Sequence, residues 1–267
     1  MRLTEELLTD VVTLAEKAGK TIMEIYSRSD FGVEYKDDAS PLTIADKESN
    51  NIILSGLHDI DPRMNVLSEE SAAVAYDDRK SWELFWLVDP LDGTKEFIKK
   101  NGEFTVNIAL IDRRKSVLGV VHAPAAGATY YAANGLGARK LAGGQSRRIS
   151  AAKYAGSPLK IIASRSHIGG KLENFIKKIG NAERISMGSS LKLCLVADGS
   201  AHLYPRLYPT MEWDTAAAQC VVEAAGGSVT DLDGEPLRYN KQSLLNPHFM
   251  VSCDKTVIWK KYLDDGS

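Results

Sequence analysis

The sequence lacks any apolar run close to the roughly 18 residues of a membrane span, so no integral membrane segment is expected. It also lacks an apolar core at its start. "MRLTEELLTD" carries acids early, which argues against a secretory signal. Cysteine is scarce. Cys194, Cys220 and Cys253 lie far apart in mostly apolar company, a pattern that fits reduced core residues of a cytosolic protein better than a metal or redox motif. No charge of one sign dominates. A formal net charge of -2 gives no electrostatic reason to expect nucleic acid as a partner, although it leaves room for a local basic pocket. There is no internal repeat and no low-complexity tract.

What remains is ordinary for a globular protein: 267 residues, 44% hydrophobic and 25% charged, enough for one large domain or two modest ones. Leu7, Val11, Leu14, Ala18, Ile22 and Ile25 recur at steps of three and four, which predicts an amphipathic first helix. Thr4 is its expected N-cap, with Glu5 and Glu6 in the first turn. A second helix is expected around Ile53, Leu57 and Ile60. From Glu83 the period changes to two. "ELFWLV", "FTVNIALID", "SVLGVVHAP" and "ATYYAANG" read as strands, and their short connections favour antiparallel neighbours. The second half alternates strand and helix: "LKIIAS", "KLENFIKKIG", "ERISMG", "SLKLCLVADG", "AHLYPR" and "DTAAAQCVVEAAGG". The expectation is an α+β half over residues 1–152 and an α/β half over 153–267, joined by a linker within 142–158.

Four acidic sites stand out: Asp89 with Asp92 in "WLVDPLDGTKEF", Glu69 with Glu70 in "LSEES", Asp214 in "EWDTAAA" and Asp46 in "SPLTIAD". Each has a structural reading of its own. Asp214 suits an N-cap. Thr43 and Asp46 suit a capping box. Asp92-Gly93 suits a turn, and Glu69-Glu70 a solvated loop. Together they suggest more, because these acids border apolar segments that should converge. Carboxylates and backbone carbonyls are hard ligands suited to Mg²⁺. Asp89 bridging two ions, with Asp92 and Glu69 completing one each, would be the arrangement that clamps an in-line phosphoryl displacement. The Leu91 carbonyl would point inward at the turn set by Pro90. Gly93 and Thr94 would offer an N–H and a hydroxyl to a phosphate oxygen. Asp214 would add a ligand at a helix end favourable to an anion.

"SEES", "DPLDGT" and "WDTAAA", in that order, resemble the Mg²⁺-dependent, lithium-sensitive phosphatases of the inositol monophosphatase superfamily. "FWLVDPLDGTKEFIKKNGEFTVNIALI", "SRSH", "GSSLKLCLVADG", "LYPR" and "LLNP" narrow the resemblance to the CysQ-type 3'(2'),5'-bisphosphate nucleotidases, over about residues 10 to 253. The resemblance implies a layered α-β-α-β-α sandwich of the inositol monophosphatase/fructose-1,6-bisphosphatase type. It implies hydrolysis of adenosine 3',5'-bisphosphate to AMP and phosphate, linked to sulfur assimilation, with 3'-phosphoadenylyl sulfate as a further substrate. It also implies inhibition by Li⁺, a monomer or weak dimer, and a cytoplasmic protein at most peripheral on the inner membrane. In this family's pattern Glu69, Asp89 and the Leu91 carbonyl hold one Mg²⁺, and Asp89, Asp92 and Asp214 a second. A third ion would lie near Glu69 and Glu70. Asp46 with Thr94 would orient and deprotonate the attacking water, with Thr43 assisting or only capping its helix. His167, Gly188, Ser189, Lys192 and Arg206 would form the nucleotide pocket, with Lys192 and Arg206 facing the 5'-phosphate and His167 near the base or ribose. Lys95, Lys99 and Lys100 read first as a solvated face, and alternatively as cations that raise the local potential for an anionic substrate. The segment Ser71 to Lys80 matches none of these motifs.

Two competing expectations remain: an inositol or sugar monophosphatase using the same metals, and a catalytically silent nucleotide sensor. The Lys192/Arg206 pair argues against the first, since a monophosphate ester leaves no second phosphate for those cations.

Overall fold

A computed structural model describes residues 2–28, 30, 32–35, 41–71, 74–154, 156, 158–163 and 170–262. Its layers follow from which faces of each element are apolar. α1 (Glu5–Tyr26) and α2 (Ile44–Ile60) lie side by side, with Leu7, Val11, Ala18, Ile22, Ile53 and Leu57 buried. Thr4 caps α1 as expected, its hydroxyl accepting the Leu7 N–H at 3.1 Å. A short antiparallel pair of β1 (Glu34–Tyr35) and β2 (Pro41–Leu42) precedes α2.

α1 and α2 cover one face of a seven-stranded sheet whose order follows the chain. Its strands are β3 (Asn65–Ser68), β4 (Leu84–Asp92), β5 (Thr105–Asp112), β6 (Lys115–Ala123), β7 (Ala128–Ala133), β8 (Gly137–Ala142) and β9 (Gln145–Arg148). From β4 onward every pair is antiparallel, as the short turns predicted. β3 is the exception and pairs parallel to β4, because residues 69–83, with the short helix α3 (Tyr76–Arg79), form a connection long enough to cross over. β9 occupies residues assigned in sequence to the linker. Its side chains are exposed, so it carried no apolar alternation to read.

The central strands are buried on both faces. Trp86, Val88, Val106 and Ile108 pack toward α1 and α2, while Phe85, Leu87, Ala109 and Val121 join the core on the opposite side. That side is covered by α6 (Leu191–Ala197) and α7 (Glu212–Ala224). The short helix α4 (Thr94–Ile98) follows β4. A five-stranded mixed sheet forms the next layer, in the order β11 (Ala182–Ser186), β10 (Leu159–Ala163), β12 (Leu203–Arg206), β14 (Phe249–Ser252), β13 (Ser228–Asp231). α5 (Gly170–Ile179) closes the stack, with Phe175 and Ile176 in a core shared with Leu159, Ile161 and Trp259. The result is the α-β-α-β-α layering. The cysteines are buried free thiols. Among the described residues no helix is long and apolar enough to cross a membrane.

Candidate active site

The end of β4 decides how the two acids of "DPLD" are used. In an unbroken strand, side chains alternate between faces, so residues 89 and 92 would point to opposite sides. Here Asp89 pairs with Asn107, and Asp92 pairs with Thr105. Three steps on β4 therefore match two on β5, and the extra residue is a bulge. Pro90 sits in it, where its missing N–H costs no ladder bond. Its carbonyl is instead taken by the Ser49 hydroxyl at 2.7 Å. The bulge flips the alternation, so Leu91 buries its side chain beside α1 and α2 while both acids face α7. The strand thus runs on through Asp92, past the turn expected after Asp89.

Asp214 completes the group. It is the third residue of α7 and not its N-cap. Its carboxylate accepts the Met211 N–H at 2.9 Å. Carboxylate oxygens of Asp89, Asp92 and Asp214 lie within 4.8 Å of one another. Burial, then the charges of Glu69, Asp92, Asp214 and Asp46, hold the Asp89 carboxyl well above the usual carboxylate range. Burial and the Asp92 charge do the same to Asp214. Asp92 is raised less, because Lys192, the Ser190 N–H and the Ser189 hydroxyl oppose the effect of burial. Like charges this close favour a bound cation. The donor set is all oxygen and fits a hard metal ion. Glu69 follows β3 with its N–H on the Val88 carbonyl at 3.1 Å, and its charge reaches Asp46, Asp89 and Asp214. Glu70 is half-buried on the same turn.

Asp46 and Thr94 meet, although they are 48 residues apart. The Thr94 hydroxyl donates to Asp46 Oδ1 at 3.1 Å, with the Leu91 carbonyl at 3.4 Å. The other Asp46 oxygen accepts the Thr43 N–H at 2.7 Å and its hydroxyl at 2.5 Å. The capping box therefore forms, and the same carboxylate serves both cap and site. Burial is the main cause of a raised Asp46 pKa.

Gly93, with φ 94°, turns the chain from β4 into α4. Gly188 lies where a Cβ would come within 2.9 Å of the Glu103 carbonyl, so its bareness admits the 96–103 loop. Ser189 is left-handed, with φ 52°. It precedes the Ser190 N–H that donates to Asp92 at 2.6 Å. Sequence reasoning missed Ser190, which supports Asp92 through that N–H. Its hydroxyl donates to Asn107 at 2.8 Å, and Thr105 bonds both serines at 2.8 Å. The available signal was Asn107 itself, an amide inside an apolar strand.

Beside the acids lies a pocket of about 350 Å³ lined by Gly188, Ser189, Lys192, Tyr204 and Arg206. Lys192 sits over the buried Tyr204 ring at 5.6 Å. Arg206 is braced on the Tyr208 and Pro209 carbonyls at 3.2 and 3.0 Å. Lys95 and Lys99, read as a solvated face, line the same pocket. Lys100 differs again: its ammonium binds the Tyr26 and Arg28 carbonyls at the end of α1. His167 lies outside the described residues.

Residues 3–260 match the model of the inositol monophosphatase family. The chain belongs to this family. As a family member it is 47% identical, over 92% of its length and 99% of the relative, to the 3'(2'),5'-bisphosphate nucleotidase CysQ of Escherichia coli K12. The crystal structure of CysQ from Bacteroides thetaiotaomicron superposes with a TM-score of 0.83 at 43% identity, covering 93% of this chain and 97% of that one. An inositol monophosphatase of Thermotoga maritima superposes at 0.76 with 28% identity, covering 93% and 92%.

Proposed function

We propose that this chain is a Mg²⁺-dependent 3'(2'),5'-bisphosphate nucleotidase that hydrolyses adenosine 3',5'-bisphosphate to AMP and phosphate. The observation that carries it is the placement of two cations, Lys192 and Arg206, in one pocket with the edge of the acid cluster. A substrate with two phosphates uses both regions. A monophosphate ester uses one. The nucleotidase names of two relatives 47% identical to this chain support the same choice.

Glu69, Asp89, Asp92, Asp214 and the Leu91 carbonyl would hold two Mg²⁺, with Glu70 beside a third. When bound, such ions supply an acidified water and neutralise phosphoryl oxygens. The chain supplies the rest. Thr94 donates its proton to Asp46, so its oxygen remains an acceptor that can orient a water O–H. Asp46 is a stronger base than an exposed carboxylate because burial raises its pKa, which suits it to take the proton. The Gly93 N–H and the pocket-lining residues Gly188 and Ser189 would hold the sugar-phosphate. Lys192 and Arg206 would bind the 5'-phosphate, a charge-assisted contact with some of the five guanidinium donors still available beyond those braced on carbonyls. His167 would approach the base or ribose. Residues 1–152 would carry most of the metal ligands and 153–267 the nucleotide pocket with Asp214. The enzyme would be a cytoplasmic monomer or weak dimer, sensitive to Li⁺, with 3'-phosphoadenylyl sulfate a second substrate.

The test is phosphate release from adenosine 3',5'-bisphosphate, inositol 1-phosphate and fructose 1,6-bisphosphate with Mg²⁺. The nucleotide should lead by at least an order of magnitude in kcat/KM. A preference for inositol 1-phosphate would replace this reading with a monophosphatase. Nucleotide binding without turnover would make the chain a sensor.

A further inference from the structure

The segment after the acidic loop and the motif "LLNP" both find a use at the start of α7. Arg79 ends α3 and is 3% exposed. Its Nη1 donates to Asn240 Oδ1 and to the Lys241 carbonyl, each at 2.8 Å, and Nη2 donates to the Gln242 carbonyl at 3.1 Å. Asn240 answers with Nδ2 on the Arg79 carbonyl at 2.7 Å. Asn240 is left-handed, with φ 62°. Its backbone N–H donates to Glu212 at 2.6 Å. The Lys241 N–H and ammonium reach the same carboxylate at 3.0 and 2.6 Å. Glu212 is fully buried and is the first residue of α7, two before Asp214. Asn246, of "LLNP", adds bonds to the Met211 carbonyl at 2.7 Å and the Thr215 hydroxyl at 3.0 Å. Residues 240–246 therefore grip the first turn of α7, and Arg79 grips residues 240–242.

We propose that Arg79 is a positioning residue for Asp214, acting through Asn240 and Glu212. In sequence it lies between Glu69-Glu70 and β4, which carries Asp89 and Asp92. In space it holds the helix that carries Asp214. One side chain thus sets the register between the proposed ligands of the first half and the one ligand from the second. A planar guanidinium fork meets its oxygens in one geometry, which an ammonium on a flexible stem does not reproduce. A buried charge is stable only with such partners in place. Groups that orient metal ligands from behind typically change affinity by about tenfold or more when altered.

The inference rests on the reading of Asp214 as a metal ligand, and its test does not require nucleotide hydrolysis. Mg²⁺ is titrated by calorimetry into the metal-free full-length protein, as wild type, Arg79→Lys, Asn240→Gly and the double variant. Asn240→Gly keeps the left-handed backbone, the N–H to Glu212 and the bonds of Arg79 to the Lys241 and Gln242 carbonyls, and deletes the amide bonds to Arg79 and to the Trp82 carbonyl, so it should fold even if Arg79→Lys does not. Each single change should weaken Mg²⁺ binding about tenfold. The double variant should lose little more than Arg79→Lys alone, since that change already cuts the link through Asn240. Unchanged Mg²⁺ affinity with only a lower unfolding temperature would overturn the proposal. So would a wild type that binds no Mg²⁺, which would remove the ligand reading of Asp214 as well. Binding that weakens as expected, with inositol 1-phosphate as the better substrate, would uphold Arg79 and overturn only the substrate.

Discussion

Asp89 is buried among like charges, with Glu69, Asp92, Asp214 and Asp46 all disfavouring its ionised form. The fold uses one of its oxygens to accept the Leu91 N–H at 3.1 Å, a bond that an amide oxygen can also accept. Asp89→Asn keeps the shape and removes one charge. It should cost at least about 10³-fold in phosphate release. The metal-free variant should melt no lower than the metal-free wild type, because repulsion is relieved. A melt well below wild type would mean that Asp89 is needed by the fold. Lys192 gives a complementary test. Burial lowers its pKa while Asp92 opposes that fall. Lys192→Ala should raise KM for adenosine 3',5'-bisphosphate about tenfold or more while changing turnover of a monophosphate little. Equal losses on both substrates would remove its 5'-phosphate role. At this scale the sequence was informative about identity and poor about direction. It named both acids of "DPLD" but placed neither on a face.

At the scale of elements, the bulge at Pro90 turns a spacing of three into two side chains on one face. The motif was legible, but the pairing with β5 that makes the bulge was not, because register belongs to two strands and not to one. Lys95 and Lys99 are exposed, as read, but that they also line the pocket was not legible, because the pocket forms only where α6 and β12 come beside α4. The packing of α1 on the seven-stranded sheet has its own signature. His122 on β6 is 8% exposed, and burial lowers its pKa to about 4. Its Nδ1 lies 2.9 Å from the Thr129 hydroxyl, which donates to Glu16 of α1 at 3.1 Å. With that hydroxyl proton committed to Glu16, Nδ1 carries a proton and donates, and the ring is neutral. Since the folded pKa lies below the unfolded one, the unfolded chain binds more protons between about 4 and 6.5. Stability from this site is complete above about 6.5 and is lost as pH falls toward 4, to a limit of about 3 kcal/mol. Urea unfolding of His122→Gln between pH 7 and 4.5 should show a shallower loss than wild type. Parallel slopes would mean that the ring is not held neutral.

Across the whole molecule the site draws on several layers. Asp46 comes from α2, Asp89 and Asp92 from β4, Asp214 from α7, and Lys192 and Arg206 from α6 and β12. A cation held by Asp89, Asp92 and Asp214 would link the seven-stranded sheet to the central helices. Mg²⁺ at about 100 times its dissociation constant should add about 2.7 kcal/mol to stability, or roughly 5–10 °C in Tm for a chain of this size. Thermal melts across a Mg²⁺ titration check this, with Asp89→Asn losing the dependence. A wild-type melt indifferent to Mg²⁺ would remove the metal from the site.

The sequence by itself determined the alternation of helix and strand, the caps of α1 and α2, and the identity of the acids, because these depend on neighbours within a turn or two. It did not register β9, whose exposed side chains carry no period. It gave Ser71 to Lys80 no role, because the partners of Arg79 lie 161 to 163 residues away. Only the tertiary structure decided which face Asp89 and Asp92 share, which serine N–H supports Asp92, and what holds the first turn of α7. Each of these depends on the register between distant segments, and that register is set by packing and hydrogen bonding across layers.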